Sequence, residues 1–166
     1  MATILEEYIA KHPGSARRYE ESTTLFPGGV THDSRYAMPF PLFMTHGTGP
    51  RKWDVDGNEY IDYVSGHGAL LLGHSRPEIA EAVYSQLKEA AYVPPFQLSQ
   101  PLAFELARRV SQMTPVGLDH IFFVNSGSES VDTAMKIAYA YHYARGQGQR
   151  QRFVSRERAY HGVNMA

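Results

Sequence analysis

The residues best equipped to do chemistry are Ser126, Gly127 and Ser128, which lie in the stretch IFFVNSGSES from Ile121 to Ser130. Four bulky apolar residues run straight into small, hydrogen-bonding ones. Where a parallel strand passes into a helix, the first backbone N–H groups of the helix lack partners and point outward. The helix dipole makes the same place positive, so it suits an anion such as phosphate. Gly127 removes the Cβ that would block close approach, and Ser126 and Ser128 can add hydroxyl donors. A second reading needs no ligand, because Ser126 and Glu129 have the Ser-x-x-Glu spacing of a capping box. Taken alone, the stretch serves both readings equally.

Two familiar alternatives are absent here. No Gly-Lys-Ser or Gly-Lys-Thr occurs, which removes a nucleotide P-loop. A Gly-x-Ser-x-Gly nucleophile elbow is missing too, since Ser128 is followed by Glu129 and Ser130. The phosphate reading gains from Ala159-Tyr160-His161-Gly162, which a doubly wound sheet would bring near the same loop. An aromatic ring there is suited to stacking on a flat heteroaromatic cofactor. By itself, Tyr160 would more simply be a core or rim tyrosine.

Several elements must position these groups. Residues 14–25 read as a short polar helix with Ser15 near its start, stopped by Phe26-Pro27-Gly28-Gly29. Val30 to Pro41 has no clear period and reads as a loop. PLFMTHG, RKWDV and EYIDYV follow as three short strands with turns at Gly47-Thr48-Gly49-Pro50 and Asp56-Gly57-Asn58, a β-meander. The turn sequence DVDGNE is not a calcium loop, because Glu59 stands where that loop needs glycine. Helices are predicted from Pro77 to Ala91, with Ile79, Val83 and Leu87 on one face, and from Pro101 to Met113, with Leu102, Leu106 and Val110. A strand at His120–Val124, a helix from about Ser128 to Arg145 and a strand at 152–155 predict a right-handed βαβ unit in a parallel sheet. The chain then breaks off within a strand-to-helix connection, so its 166 residues read as the front part of a larger fold.

Composition narrows the partners. Hydrophobic residues are 43 % and charged residues 20 %, a globular balance. A net charge of -1 gives no attraction to nucleic acid or to an anionic membrane. Without cysteine there is neither a disulfide nor a thiolate metal site. The N-terminus lacks a signal-peptide core, and the longest apolar run, Ala69 to Leu72, is far too short to cross a bilayer. A soluble, cytoplasmic chain is expected. No metal is expected either; a site joining His67 and His74 lacks clustered carboxylates.

Asn125-Ser126-Gly127-Ser128-Glu129, with Val131-Asp132 and then Tyr160-His161-Gly162, resembles the class III aminotransferases, pyridoxal-phosphate enzymes of fold type I. Phe26 to Val30, Trp53 to Gly57, Tyr60-Ile61-Asp62 and Leu72-Gly73-His74 match the N-terminal region of that family in order. The first half resembles glutamate-1-semialdehyde aminomutases and, through Gly66-His67-Gly68-Ala69-Leu70, D-phenylglycine aminotransferases. The second half, with Tyr139 to Gln149, is more similar to ω-amino-acid:pyruvate transaminases.

The resemblance implies an α/β fold: residues 1–75 would belong to the small domain, and 76–166 would begin the large cofactor domain. It implies that Ser126, Gly127 and Ser128 hold the phosphate of pyridoxal 5'-phosphate, with Tyr160 stacked on its ring and His161 and Gly162 beside it. Arg35 matches the position where aminomutase-like members hold a substrate carboxylate, a task suited to a planar guanidinium. Thr31-His32-Asp33-Ser34, just before it, departs from the aminomutase pattern. His67 would lie near the substrate pocket. The partners implied are a small-molecule amino donor, a keto acid or aldehyde acceptor, and a second copy in a homodimer. The lysine that would form a Schiff base with the cofactor, and the acid that pairs with its ring nitrogen, are expected beyond Ala166. Lys11, Lys52, Lys88 and Lys136 do not match the family position, so no catalytic residue is assigned in this chain. Two other classes remain: a non-catalytic dimerising or binding module derived from the family, and a hydrolase using Ser126 or Ser128 with His161.

Overall fold

The structure, a computed structural model, describes residues 1–94 and 96–165. The chain forms two compact units, Met1–Tyr92 and Val93–Ala166.

The first unit opens with helix α1, Ile4–Lys11. Thr3 and Glu6 form a reciprocal capping box there: the Glu6 amide donates to Thr3 Oγ1 at 3.2 Å, and the Thr3 amide donates to Glu6 Oε2 at 2.7 Å. His12 ends α1 and begins α2, Pro13–Thr23. Pro13 suits the first helical position because its missing N–H would be unpaired anyway. The next two amides have no local acceptor side chain. They are met from far along the chain: Gly14 N–H donates to Asp56 Oδ1 at 2.6 Å and Ser15 N–H to Asp56 Oδ2 at 3.0 Å. Ser15 is fully buried, and its Oγ accepts from the Phe43 amide at 3.2 Å.

The meander predicted from the turns is present as β1 (Met44–Thr48), β2 (Arg51–Asp54) and β3 (Glu59–Ile61), antiparallel in the order β1-β2-β3. Asp54 organises the β2–β3 turn. Its Oδ1 accepts from the Asp56 and Asn58 amides at 3.0 and 2.8 Å, and its Oδ2 accepts from the Tyr60 hydroxyl at 2.7 Å. His12 closes the network, with Nδ1 2.7 Å from the Tyr8 carbonyl and Nε2 2.8 Å from the Tyr60 hydroxyl. Tyr8 in turn donates to the Phe40 carbonyl at 2.7 Å, and its ring lies 5.1 Å from the Phe40 ring. The centre of this unit is therefore a hydrogen-bonded polar cluster beside a single buried aromatic, Phe40. Asp54 itself is only 2 % exposed.

Burial opposes ionisation of Asp54, but the hydrogen bonds from Asn58, Tyr60 and the turn amides outweigh it and hold the carboxyl below its ordinary value. Tyr60 moves the other way. Burial, the hydrogen bond to Asp54 and the charge of Asp54 all push its phenol up. Beyond the sheet, helix α3 runs Pro77–Ala90 with the expected Ile79, Val83 and Leu87 stripe, which is exposed.

In the second unit, α4 (Pro101–Met113) and α5 (Gly127–Ala144) fall where their periodicity puts them. The flanking parallel strands do not. Residues 120–124 and 152–155 are in no strand, and no parallel pairing exists among the described residues. Apolar, β-prone residues become a strand only when a neighbouring ladder takes their backbone groups. Here no such neighbour is present, and Val154 stands 97 % exposed. Helix α5 still packs on the second of these segments. The Tyr139 hydroxyl donates to the Gln151 carbonyl at 2.6 Å, and its ring meets Phe153 edge-on at 5.0 Å. No helix among the described residues is long and apolar enough to cross a membrane.

Two outcomes test this account. Asp56→Ala leaves two helix N-terminal amides without their acceptor and should cost about 2 kcal/mol, read by denaturant unfolding. Stability should also fall at both pH extremes. Asp54, depressed in the fold, contributes fully above the ordinary carboxylate range, and that contribution is lost as pH falls through its folded value. Tyr60, raised in the fold, contributes below the ordinary tyrosine range and loses that contribution as pH rises. Asp54→Asn should flatten the acid limb of a stability-versus-pH curve; an unchanged acid limb would contradict the assignment.

Candidate functional site

The turn into α5 answers the question posed by Ser126–Ser128. Ser126 is the N-cap, and its Oγ accepts from the Glu129 amide at 3.2 Å. The Glu129 carboxylate folds back to accept from the Asn125 amide at 2.8 Å, one residue before the cap. Capping thus uses only the third helical amide. Among the described residues, no acceptor meets the Gly127 or Ser128 amides. A Cβ placed on Gly127 would meet open space, so the approach to these donors is clear. The cap leaves the Gly127 and Ser128 amides unused, so capping does not preclude an anion there.

The segment after residue 159 returns to this turn. Val163 N–H donates to Ser128 Oγ at 3.2 Å. Gly162, at φ +114°, sits so close that a Cβ on it would lie 2.9 Å from Ser128 Cα. Because Ser128 Oγ accepts from Val163, its own proton remains to be donated elsewhere. Asp132, 8 % exposed, accepts from the Met165 amide at 3.2 Å. Tyr160 is 79 % exposed, so its ring face is open. His161 carries the reverse feature: its Nε2 is buried and has no hydrogen-bond partner among the described residues. A buried polar atom without a partner is rare in folded proteins and marks a place where a further group belongs. Ser126, Gly127, Ser128 and Gly162 are thus gathered at one end of α5, with Tyr160 and His161 next to them in the chain.

The hydrolase alternative needs a serine hydroxyl on His161. Neither serine bonds that ring: Ser126 Oγ accepts from the Glu129 amide, Ser128 Oγ from the Val163 amide, and His161 Nε2 is unpartnered.

Arg35 and His67 both lie in the first unit. Arg35 ends a short 3-10 turn, Asp33–Arg35, and lines a hollow of about 650 Å³ with Phe26, Thr31, Phe43 and Lys52. His67 is not among its walls. It sits in Ser65–Gly68, where φ is +46°, +58°, +56° and +90° in succession. Left-handed backbone at Ser65 and His67 is costly and persists only where the surroundings impose it. Asp62 does so here. Its Oδ1 accepts from the Val64 and Ser65 amides at 3.1 and 3.2 Å and from Lys52 Nζ at 3.0 Å, while Oδ2 meets His74 Nε2 at 2.7 Å. The bonds from Lys52 and His74 hold this carboxyl well below the usual carboxylate range. Among the described residues no three His, Cys, Asp or Glu side chains group as metal ligands.

Asp54, Asp56 and Asp62 stand in stretches that match the family, but nothing in the sequence assigned them or His12 a structural role. The Asp54-x-Asp56 turn signal was visible, but nothing local shows that Asp56 reaches α2. Helix α1 had a signal of its own, the Thr3-x-x-Glu6 capping spacing.

Comparison with known proteins identifies the family. The family model for "Aminotransferase class-III" matches residues 32–166. An omega-aminotransferase of Caulobacter vibrioides is 50 % identical over 123 residues, covering 74 % of this chain and 28 % of that protein. A glutamate-1-semialdehyde 2,1-aminomutase of Haloarcula marismortui is 36 % identical over 152 residues, covering 92 % of this chain and 32 % of its own length. A solved structure described as a transaminase with PLP bound superposes with a TM-score of 0.81 at 30 % identity, over 92 % of this chain and 34 % of that one. The chain therefore spans about a third or less of the length of these relatives. Matched by the family model over 135 of its residues, and similar to these proteins in sequence and in fold, the chain belongs to the class III aminotransferases.

Proposed function

We propose that the protein is a pyridoxal-phosphate-dependent aminotransferase, moving an amino group from an amino acid or amine to a keto acid or aldehyde. In this reading the chain contributes the phosphate-binding turn, the ring-stacking tyrosine and part of the substrate pocket. The observation that carries it is the set of donors at α5: two amides and the Ser128 hydroxyl without acceptors, beside an open Gly127. These groups fit a phosphate. The unpartnered Nε2 of His161 and the open ring of Tyr160 fit a flat polar molecule lying next to it.

When bound, pyridoxal phosphate supplies an aldehyde for the amino nitrogen and a ring that accepts the electron pair released by the substrate. This chain's residues bind and orient. The Gly127 and Ser128 amides and the α5 dipole would neutralise the phosphate charge. Tyr160 would stack on the ring and exclude water from it. Arg35 would hold a substrate carboxylate in its fork, while His67, fixed in its left-handed turn through Asp62, stands outside the walls of the Arg35 hollow. Residues 1–75 belong to the small domain and 76–166 to the beginning of the large one. The protein works as a cytoplasmic homodimer.

Titration of the purified protein with pyridoxal phosphate, followed by visible absorbance, tests the reading. Saturable binding is expected, and Gly127→Val should weaken it by about ten- to a hundred-fold by closing off the donors. Absence of binding by the unaltered protein would leave a non-catalytic member of the family. In the full-length enzyme, Arg35→Ala should raise KM about ten- to a hundred-fold for amino donors bearing a carboxylate and barely change it for simple amines. An equal effect on both donor classes would remove Arg35 from the carboxylate site.

A further inference from the structure

Two hydrogen bonds between α5 and residues 160–165 share a common spacing. Ser128 and Asp132 are four apart on the helix; Val163 and Met165 are two apart on the returning segment. Side chains at i and i+4 share a helix face, so the Ser128 and Asp132 oxygens are offered to the same side of α5. The returning segment bends at Val163 and Asn164, and each of the two oxygens meets one of its amides. Gly162 lies against Ser128, which permits no closer or alternative residue.

Asp132 is the unexpected member of this pair. It is 8 % exposed and receives the Met165 amide from 33 positions along the chain. A buried carboxylate is costly unless its hydrogen bonds compensate, and an ionised acceptor makes the stronger bond. We propose that Asp132 is a positioning residue: with Ser128 it clamps residues 160–165 onto α5, so that Tyr160 and His161 are in place before any cofactor binds. Ser128 is the hinge of the arrangement. Its oxygen accepts from Val163, which leaves its proton free for a phosphate and links the phosphate end of the site to the ring end. The part concerning the cofactor rests on the function proposed above; the clamp itself does not.

The test is amide hydrogen exchange over residues 160–165 in the full-length protein, measured without cofactor. Asp132→Ala should lose protection at Met165 and, more weakly, at Val163, whereas Asp132→Asn, which keeps an acceptor oxygen, should retain most of it. Because truncating a buried carboxylate can unfold a unit, Gly162→Ala serves as the second variant. Its Cβ pushes the segment off α5 with Asp132 intact, and the same protection should be lost. In both disrupting variants, pyridoxal phosphate affinity should fall about ten-fold and its induced circular dichroism should fade, while inorganic phosphate binds Asp132→Ala as it binds the unaltered protein. Unchanged exchange in Asp132→Ala, or in Gly162→Ala should the former not fold, would overturn the clamp. Unchanged exchange in both would do so as well. Lost protection with undiminished pyridoxal phosphate binding would overturn its positioning role. Failure of the unaltered protein to bind pyridoxal phosphate would strike the cofactor reading and leave the exchange result to decide the clamp.

Discussion

The carboxylate of Asp56 holds the first unit together. It sits on the turn of a three-stranded sheet yet satisfies the Gly14 and Ser15 amides of a helix, 42 and 41 residues earlier respectively. Asp54, two positions before it, fixes the turn by accepting the Asp56 amide, so one carboxylate orients the other. The approach is close: a Cβ on Gly14 would lie 2.6 Å from Asp56 Oδ1. Glycine is needed at that point for space, not for backbone freedom. Because a small antiparallel sheet has little apolar surface to bury, the unit relies on directed bonds between few groups. Phe40 is its one buried apolar side chain.

The second unit uses the same device for a different end. At α5 a side chain caps the helix, but only partly. Ser126 takes the third amide and Glu129 turns back to Asn125, which also draws its negative charge toward the preceding loop. A fuller cap would have removed the donors that an anion needs. The two readings of Ser-x-x-Glu, as cap or as phosphate turn, are therefore not rivals. Partial satisfaction is the arrangement that allows both.

Much of this was legible from the residues. Turn signals located the meander, and apolar spacing located α3, α4 and α5 within a residue or so, because helical period and breakers are local properties. The grouping at α5 was legible too, since small residues after an apolar run say where backbone donors lie. What could not be read was long-range and polar. His12, Tyr60 and Asp54 form a hydrogen-bonded set around two buried side chains, although none has an apolar neighbour pattern to announce it. Strands at 120–124 and 152–155 were read from composition, but strand formation depends on a partner's backbone. Tyr160 and Asp132 were visible as residue types; the two hydrogen bonds that tie the returning segment to the helix were not.

One consequence of the remote cap concerns the order in which the chain acquires structure. Helix α2 is short and has no side-chain cap of its own, so by itself it would be marginal in water. Its N-terminal amides are satisfied only after the β2–β3 turn has formed and closed a loop of about forty residues. The helix is then a late element that consolidates with the hairpin, and a weakened hairpin would be felt first as fraying at the far end of the sequence.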